Sequence, residues 1–299
     1  MSSQPPIGFA LVTYRDAENT YRLLRTLNRV FGDPPISIHH DFTQSILSLS
    51  EYGGSIRLTD RQFRTGWGTI STVLAMEAAI EHLMERSDAP RWFYLITGHC
   101  YPIIQADKAL AFLDSSGCDL FMQQAPFYPP LFHHARTEEW CERYIYPLFR
   151  LSFPSRRGGW GYRYLTLRRT GSGSPFSASF PCRSGPTYFT GNAAAASALS
   201  HGFRDRSLLR WYSKRPIVDE SIFQTILGNA PGLRIRDDDL RFIKWPDLEK
   251  EPDETKPKTL RIVDAPEIAA SPAHIARKFL PGRSDELIAW IDRERLGLR

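Results

Sequence analysis

Cysteine is scarce in this chain, and its placement excludes two frameworks at once. Cys100, Cys118, Cys141 and Cys182 stand far apart with no Cys-x-x-Cys pair, so neither a zinc site nor a disulfide scaffold is expected. Reduced, mostly buried thiols are the expectation. An N-terminal apolar segment is also missing: residues 1–6 are polar, and the run Ile7 to Tyr14 is only strand-sized. The cytoplasm is the expected location. Several catalytic signatures are absent, among them the Gly-x-Ser-x-Gly elbow, the P-loop and the Gly-x-Gly-x-x-Gly fingerprint. Gly171-Ser172-Gly173 lies in the wrong context for any of them. No strong excess of one charge exists either. The 38 Lys and Arg are interspersed with 33 Asp and Glu, which argues against nucleic acid. A net charge of +5 and a pI near 9.0 favour anionic ligands such as a nucleotide diphosphate, or an acidic membrane surface. Peripheral contact with the inner membrane is therefore the one membrane association expected.

What is present reads as an ordered globule. With 299 residues, 42% hydrophobic and 24% charged, the chain can bury a full core, as one large α/β domain or two small ones. Ile7 to Tyr14 reads as a buried strand, Asn19 to Phe31 as an amphipathic helix and Pro35 to Asp41 as a second strand. A strand–helix–strand unit with a crossover of that length signals a parallel sheet. Ligands bind beyond the carboxyl ends of such strands, where Asp41 falls; a hydrogen-bond acceptor for a nucleoside and a turn aspartate are both open readings. His39 and His40 point to opposite faces and do not jointly chelate an ion.

Further along, Ser55 to Leu58 suggests a third strand, Ile70 to Arg86 a long helix and Arg91 to Ile96 a central strand. Thr97 to Pro102 reads as a turn at that strand's carboxyl end. Asp107 to Leu113 is helical and Asp119 to Met122 a strand. Ala125 to Arg183 is rich in aromatics, Pro, Gly and Arg, with little periodicity, and is expected to be irregular. Pro186 to Phe189 reads as a short apolar element and Ala193 to Leu199 as an Ala-rich helix. Leu240 to Trp245 is expected to be the final strand, and Asp285 to Arg295 a terminal amphipathic helix. The acidic triplet Asp237-Asp238-Asp239 reads as a solvated loop rather than a metal site.

The stretch Pro216 to Leu227 is the most suggestive. Ile222, Phe223, Ile226 and Leu227 form an apolar stripe at helical spacing, with Asp219 placed as N-cap and Glu220 in the first turn. Both acids could simply complement the helix start, or Glu220 could take a proton from a bound substrate. A pair of carboxylates disposed to flank a glycosidic bond is not evident, because Asp219 and Glu220 are adjacent and diverge.

Seven blocks in order resemble the core-2/I-branching β-1,6-N-acetylglucosaminyltransferases, a family that also contains the peptide O-xylosyltransferases. They are Ile38-His39-His40-Asp41, Trp67-Gly68, Tyr94 to Ile103, Ser184 to Phe189, Asp219-Glu220-Ser221-Ile222-Phe223-Gln224-Thr225, Leu240 to Trp245, and Ala276-Arg277-Lys278-Phe279. The resemblance runs from about residue 7 to about residue 280 and is poor in the middle third.

That resemblance implies a GT-A type fold, a Rossmann-like α/β/α sandwich with a mostly parallel central sheet. It implies a single glycosyltransferase domain over 1–299: a nucleotide-binding half at 7–124, an acceptor-binding and catalytic half at 125–280, and a C-terminal helix at 281–299. It further implies an inverting transfer of a sugar, N-acetylglucosamine or xylose, from a UDP-linked donor to a glycan hydroxyl, with Glu220 as catalytic base. Asp41 would hold the uridine. Lys278, Lys258 and Arg261 would neutralise the diphosphate without a metal or other cofactor. Trp245, Arg136 and Tyr188 would bind the acceptor. Two departures stand out: Cys100 replaces the family's acid, and Glu139 replaces a base within the Trp140-x-x-Arg143-Tyr144 skeleton. A peptide O-xylosyltransferase-like activity on serine and a catalytically silent sugar-binding module are the alternative readings.

Overall fold

The computed structural model describes residues 4–127, 139–146, 148–154, 160–166, 173–246 and 256–298. Arg136, named above for acceptor binding, lies outside the described residues.

The first half of the chain alternates strand and helix. β1 (Ile7–Thr13), β2 (Ile36–His40), β3 (Ile56–Leu58) and β4 (Trp92–Thr97) are joined through α1 (Ala17–Phe31) and α2 (Ile70–Glu85). β5 (Cys100–Pro102), α3 (Ala106–Ser115), β6 (Leu120–Phe121) and β7 (Ala125–Phe127) follow. Next come β8 (Leu148–Pro154), β9 (Trp160–Thr166), β10 (Cys182–Ser184) and β11 (Thr190–Asn192). Three helices then run in succession: α4 (Ala193–Gly202), α5 (Arg206–Tyr212) and α6 (Ile222–Gly228). The chain closes with β12 (Ile235–Arg236), β13 (Arg241–Ile243), α7 (Ala265–Ala270), β14 (Ile275–Arg277) and α8 (Asp285–Glu294).

The central sheet has seven strands in the order β12-β6-β11-β4-β1-β2-β3. β11 pairs antiparallel with both neighbours, and the other pairings are parallel, as expected. β1 and β4 at the centre of the sheet are near-continuous apolar runs because both of their faces are covered. Ile7, Phe9, Leu11, Tyr94 and Ile96 face α1, α3, α7 and α8. The alternate residues Ala10, Val12, Phe93 and Leu95 face α2, α4, α5 and α6. This is the expected α/β/α layering. Helix ends follow local chemistry. Gly32 closes α1 at φ 68°, a conformation that glycine adopts without a Cβ clash. Asn192 caps α4 by accepting from the Ala194 and Ala195 N–H groups. Among the described residues, no helix is long and apolar enough to cross a membrane.

Four expectations need correction. Leu240 to Trp245 is not the last strand: β14 follows and pairs parallel with β13 and antiparallel with β5. The turn after β4 is shorter than read, since Cys100–Pro102 is itself a strand. Pro186 to Phe189 forms no regular element, and the strand β11 begins at Thr190. The segment 125–183 is not merely irregular: it holds an antiparallel β8–β9 pair and a β7–β10 pair. Its aromatics Phe127 and Tyr144 are buried in the core. All four cysteines are free thiols, three of them buried.

The core also sets an acid limit on stability. His274 Nδ1 lies 2.6 Å from the Tyr94 hydroxyl, and burial together with the nearby Arg241 pushes its pKa down to about 3. His39, His40, His82 and His99 are lowered as well, each chiefly by burial. Below about pH 6.5 the unfolded chain binds protons that the native His274 refuses, so stability is lost as pH falls from there towards 3. Urea midpoints should decrease between pH 7.5 and 5.0, with about 2 kcal/mol of the loss due to His274. The loss should be shallower by that amount in His274→Asn; an equal loss in both proteins rejects the assignment.

Candidate active site

Thr13, His40 and Thr97 end strands β1, β2 and β4 at one edge of the sheet, and Asp41 follows β2 directly there. Asp41 is almost fully buried there. Its Oδ1 accepts from the Thr43 N–H at 3.0 Å and hydroxyl at 2.6 Å. Its Oδ2 accepts from Gln44 Nε2, the Thr65 N–H and the Thr65 hydroxyl at 2.7, 2.7 and 2.9 Å. Although burial opposes ionisation, these donors together hold its carboxyl well below the usual aspartate range. The observed work of Asp41 is to tie the loop 42–45 to the loop that leads into Trp67-Gly68.

Gly68 carries that link to Glu220. It adopts φ +67°, and a Cβ there would meet Ile217 N at 3.0 Å and Ile217 Cα at 3.1 Å. Its carbonyl accepts from the Val218 N–H at 3.3 Å. Asp219 and Glu220 follow on a 3-10 turn, Val218–Glu220, which ends before α6 begins. Here the sequence expectation fails. Asp219 is not an N-cap and Glu220 is not in the first α-helical turn; Ser221 is the cap residue, without a side-chain cap bond.

Hydrogen bonds to the neighbouring strand replace the helix as the fixing device. The Glu220 carbonyl accepts from the Gly185 N–H at 3.0 Å and the Ser184 hydroxyl at 2.7 Å. Ser221 Oγ donates to the Arg183 carbonyl at 2.7 Å. Gln224 Nε2 donates to the Gly185 and Pro186 carbonyls at 3.3 and 2.6 Å, and Thr225 Oγ1 accepts from the Arg183 N–H at 2.9 Å. Ser221, Gln224 and Thr225 are each fully buried. Gly185 is required for the fit, because a Cβ there would lie 2.2 Å from the Gln123 carbonyl oxygen.

The Glu220 side chain is left partly open to solvent, 41% exposed, with Arg143 Nη1 3.5 Å from Oε2. Arg143 also pairs with Glu139. It comes from the helical turn Cys141–Ile145, which Tyr144 fastens by donating to the Ile217 carbonyl at 2.6 Å. Arg215 steadies the same turn, donating to the Arg143 and Tyr146 carbonyls. Burial lifts the Glu220 carboxyl above the usual glutamate range, an ionised Asp219 would push the same way, and Arg143 pulls it back. Arg143 is a functional candidate to which sequence reasoning gave no role. Its signal was the Trp-x-x-Arg-Tyr skeleton.

The C-terminal segment reaches this part of the molecule through β14, which pairs with β5. β13 and β14 align Ile243 with Arg277. The Lys258 N–H donates to the Lys244 carbonyl at 2.8 Å, and the Leu260 N–H to the Lys278 carbonyl at 2.9 Å. Lys258, Arg261, Lys278 and Trp245 are thus brought into one neighbourhood, and Trp245 is 56% exposed. Contact between the two sides runs through Tyr188. Arg277 sits over its ring, 4.8 Å from the centroid, and reaches the Thr97 hydroxyl at 3.3 Å. Thr187, the residue before Tyr188, donates to Asp219 Oδ2 at 3.0 Å. Cys100 is buried beside Thr97, opposite Arg277 across the β5–β14 pair. Among the described residues, no three His, Cys, Asp or Glu side chains gather as a metal site.

In open α/β sheets ligands bind beyond the carboxyl ends of the strands, the edge at which Asp41 lies. The family is more specific: the model of the Core-2/I-Branching enzyme family matches residues 7–269, and the chain belongs to that family of glycosyltransferases. Among curated proteins none matches it significantly. Among solved structures it is similar to a 4-diphosphocytidyl-2C-methyl-D-erythritol synthase from Anaerococcus prevotii. Identity there is 11%, over 76% of this chain and 97% of that one, at a TM-score of 0.32. It is also similar to a point mutant of UDP-glucose pyrophosphorylase from Leishmania major in complex with UDP-glucose, at 10% identity over 68% of this chain and 52% of that one, TM-score 0.30.

Replacing Gly68 should disturb the site through its support. Gly68→Ala meets both a left-handed backbone and the Ile217 backbone, at a cost of about 1–3 kcal/mol. Its melting temperature and turnover should both drop. Gly53→Ala, where nothing lies within 4 Å, should change neither. Unchanged turnover in Gly68→Ala would reject the support role.

Proposed function

We propose that this glycosyltransferase moves a sugar, N-acetylglucosamine or xylose, from a UDP-linked donor to a glycan hydroxyl with inversion and without a metal. The observation that carries the reading is Glu220, a half-exposed carboxylate on a backbone-pinned turn beside Arg143. In this reading Glu220 takes the proton from the acceptor hydroxyl as that oxygen attacks the anomeric carbon. The bond to the diphosphate breaks on the opposite face. Lys278, with Lys258 or Arg261, stabilises the charge that develops there. Asp41 supports the nucleoside side of the cleft, and Trp245, Tyr188 and Arg136 hold the acceptor. The chain 1–299 acts as one domain, cytoplasmic or in peripheral contact with the inner membrane, with substrates as its partners and no nucleic acid. Support for this division of labour comes from the contact path Asp219–Thr187–Tyr188–Arg277, which connects the carboxylate side to the residue preceding Lys278.

A screen of UDP-N-acetylglucosamine and UDP-xylose against glycan and serine-peptide acceptors identifies the substrates and separates branching from peptide xylosylation. Glu220→Gln should lower kcat about a hundred- to ten-thousandfold, with an unchanged melting temperature. Full turnover in that variant rejects Glu220 as base, and loss of wild-type activity in EDTA rejects the metal-free reading. Because the base must be ionised, kcat/KM should rise with pH through the Glu220 pKa, above the usual glutamate range. Arg143→Ala removes the cation that lowers that pKa, so the acidic limb should move to higher pH. A limb that moves down contradicts the electrostatics described above.

A further inference from the structure

Beside Glu220 stands a second acid that the proposed reaction leaves idle. Asp219 Oδ2 accepts from the Thr187 hydroxyl at 3.0 Å. Its Oδ1 is shut away from water, and no other residue donates a hydrogen bond to it. The groups packed around it are committed elsewhere. From the turn 141–145, Arg143 donates to Glu220 and Glu139, and the Tyr144 hydroxyl donates to the Ile217 carbonyl. The loop Gly185-Pro186-Thr187 carries no charged side chain. On α6, the Gln224 amide nitrogen is taken up by the Gly185 and Pro186 carbonyls, and its Oε1 is another buried acceptor without a donor.

An ionised oxygen with neither water nor a donor is strongly disfavoured, and a proton relieves it. We infer that Asp219 is a neutral carboxylic acid at neutral pH, a positioning residue that leaves the Asp219–Glu220 pair with one negative charge, carried by Glu220. Burial indeed drives the Asp219 carboxyl upward, against the pull of Thr187, its own backbone amide and Arg143. Two adjacent acids that share one charge divide their roles, one holding a proton and the other free to accept one. A second anion beside Glu220 would favour its protonated form and empty the base. With Asp219 neutral, Glu220 stays ionised; when the acceptor O–H breaks, that hydrogen forms the new Glu220 O–H while Asp219 keeps its own. The inference rests on the reading of Glu220 as base.

Asp219→Asn is a neutral, near-isosteric replacement. Using UDP release from UDP-N-acetylglucosamine as the assay, it should keep kcat/KM within about threefold and leave the acidic limb of the pH profile in place. Difference infrared spectra, wild type minus Asp219→Asn at pH 7.5, should show the carbonyl stretch of a protonated carboxyl. A limb displaced downward by about one unit means that a charge was removed, and overturns the inference. Absence of the protonated band overturns it independently; if the variant does not fold, a pH titration of that band in the wild type alone decides between the same two outcomes. Full turnover in Glu220→Gln with the band present would sink the base reading and leave the neutral Asp219 standing.

Discussion

The site depends on one constraint: the turn that carries Glu220 is stitched to the strand and loop at 182–186 by backbone and buried side-chain hydrogen bonds. Ser184 and Gly185 hold the Glu220 carbonyl, while Ser221, Gln224 and Thr225 hold the carbonyls and N–H of Arg183 to Pro186. Helix α6 has only seven residues, too few for its dipole or its own stability to orient a carboxylate. Hydrogen bonds made out of contact with water give the turn a unique position that helix propensity could not. The polar residues of the block Asp219 to Thr225 are therefore structural in the main, and Glu220 keeps a side chain that is 41% exposed.

A different constraint fixes the cationic side. The short sheet β13-β14-β5 brings a C-terminal strand against the loop that follows β4. It positions Arg277 over Tyr188 and sets Lys278 beside the chain at Leu260. Buried Arg241 reinforces the junction by donating to the Leu95 and Phe189 carbonyls and the Thr190 hydroxyl. Tyr188 is thus the joint between two independently built halves. Its loop serves the carboxylate turn through Thr187, and its ring serves the tail through Arg277.

Much of the fold is legible in the sequence, for identifiable reasons. β1 and β4 can be read because strands covered on both faces are near-continuously apolar, and α1 and α2 because fifteen- and sixteen-residue helices display several turns of periodicity. β5 and β14 cannot, because three residues carry no period and their partners lie far away in sequence. Asp219 reads as a cap because its sequence context is that of one; the tertiary bonds of the Glu220 carbonyl end the turn one residue later. For the site, the order of the blocks points to Glu220 and the tail cations. Arg143, Thr187 and Arg277 lie within recognisable sequence blocks, but their contacts join segments tens of residues apart and are seen only in the fold.

The charge balance of the crevice follows from these contacts. Arg143 is the one cation within ion-pairing distance of Glu220 among the described residues, and it is shared with Glu139. Were Asp219 ionised as well, three carboxylates would compete for a single guanidinium in a half-buried site, and like charges at such range raise one another's pKa values. The geometry resolves the competition by denying Asp219 Oδ1 both solvent and a donor from any other residue while leaving Glu220 open to each. Two adjacent acids in the sequence therefore become chemically unlike in the fold. In the proposed reading the first holds its proton and the second serves as the base, with Arg143 balancing its charge.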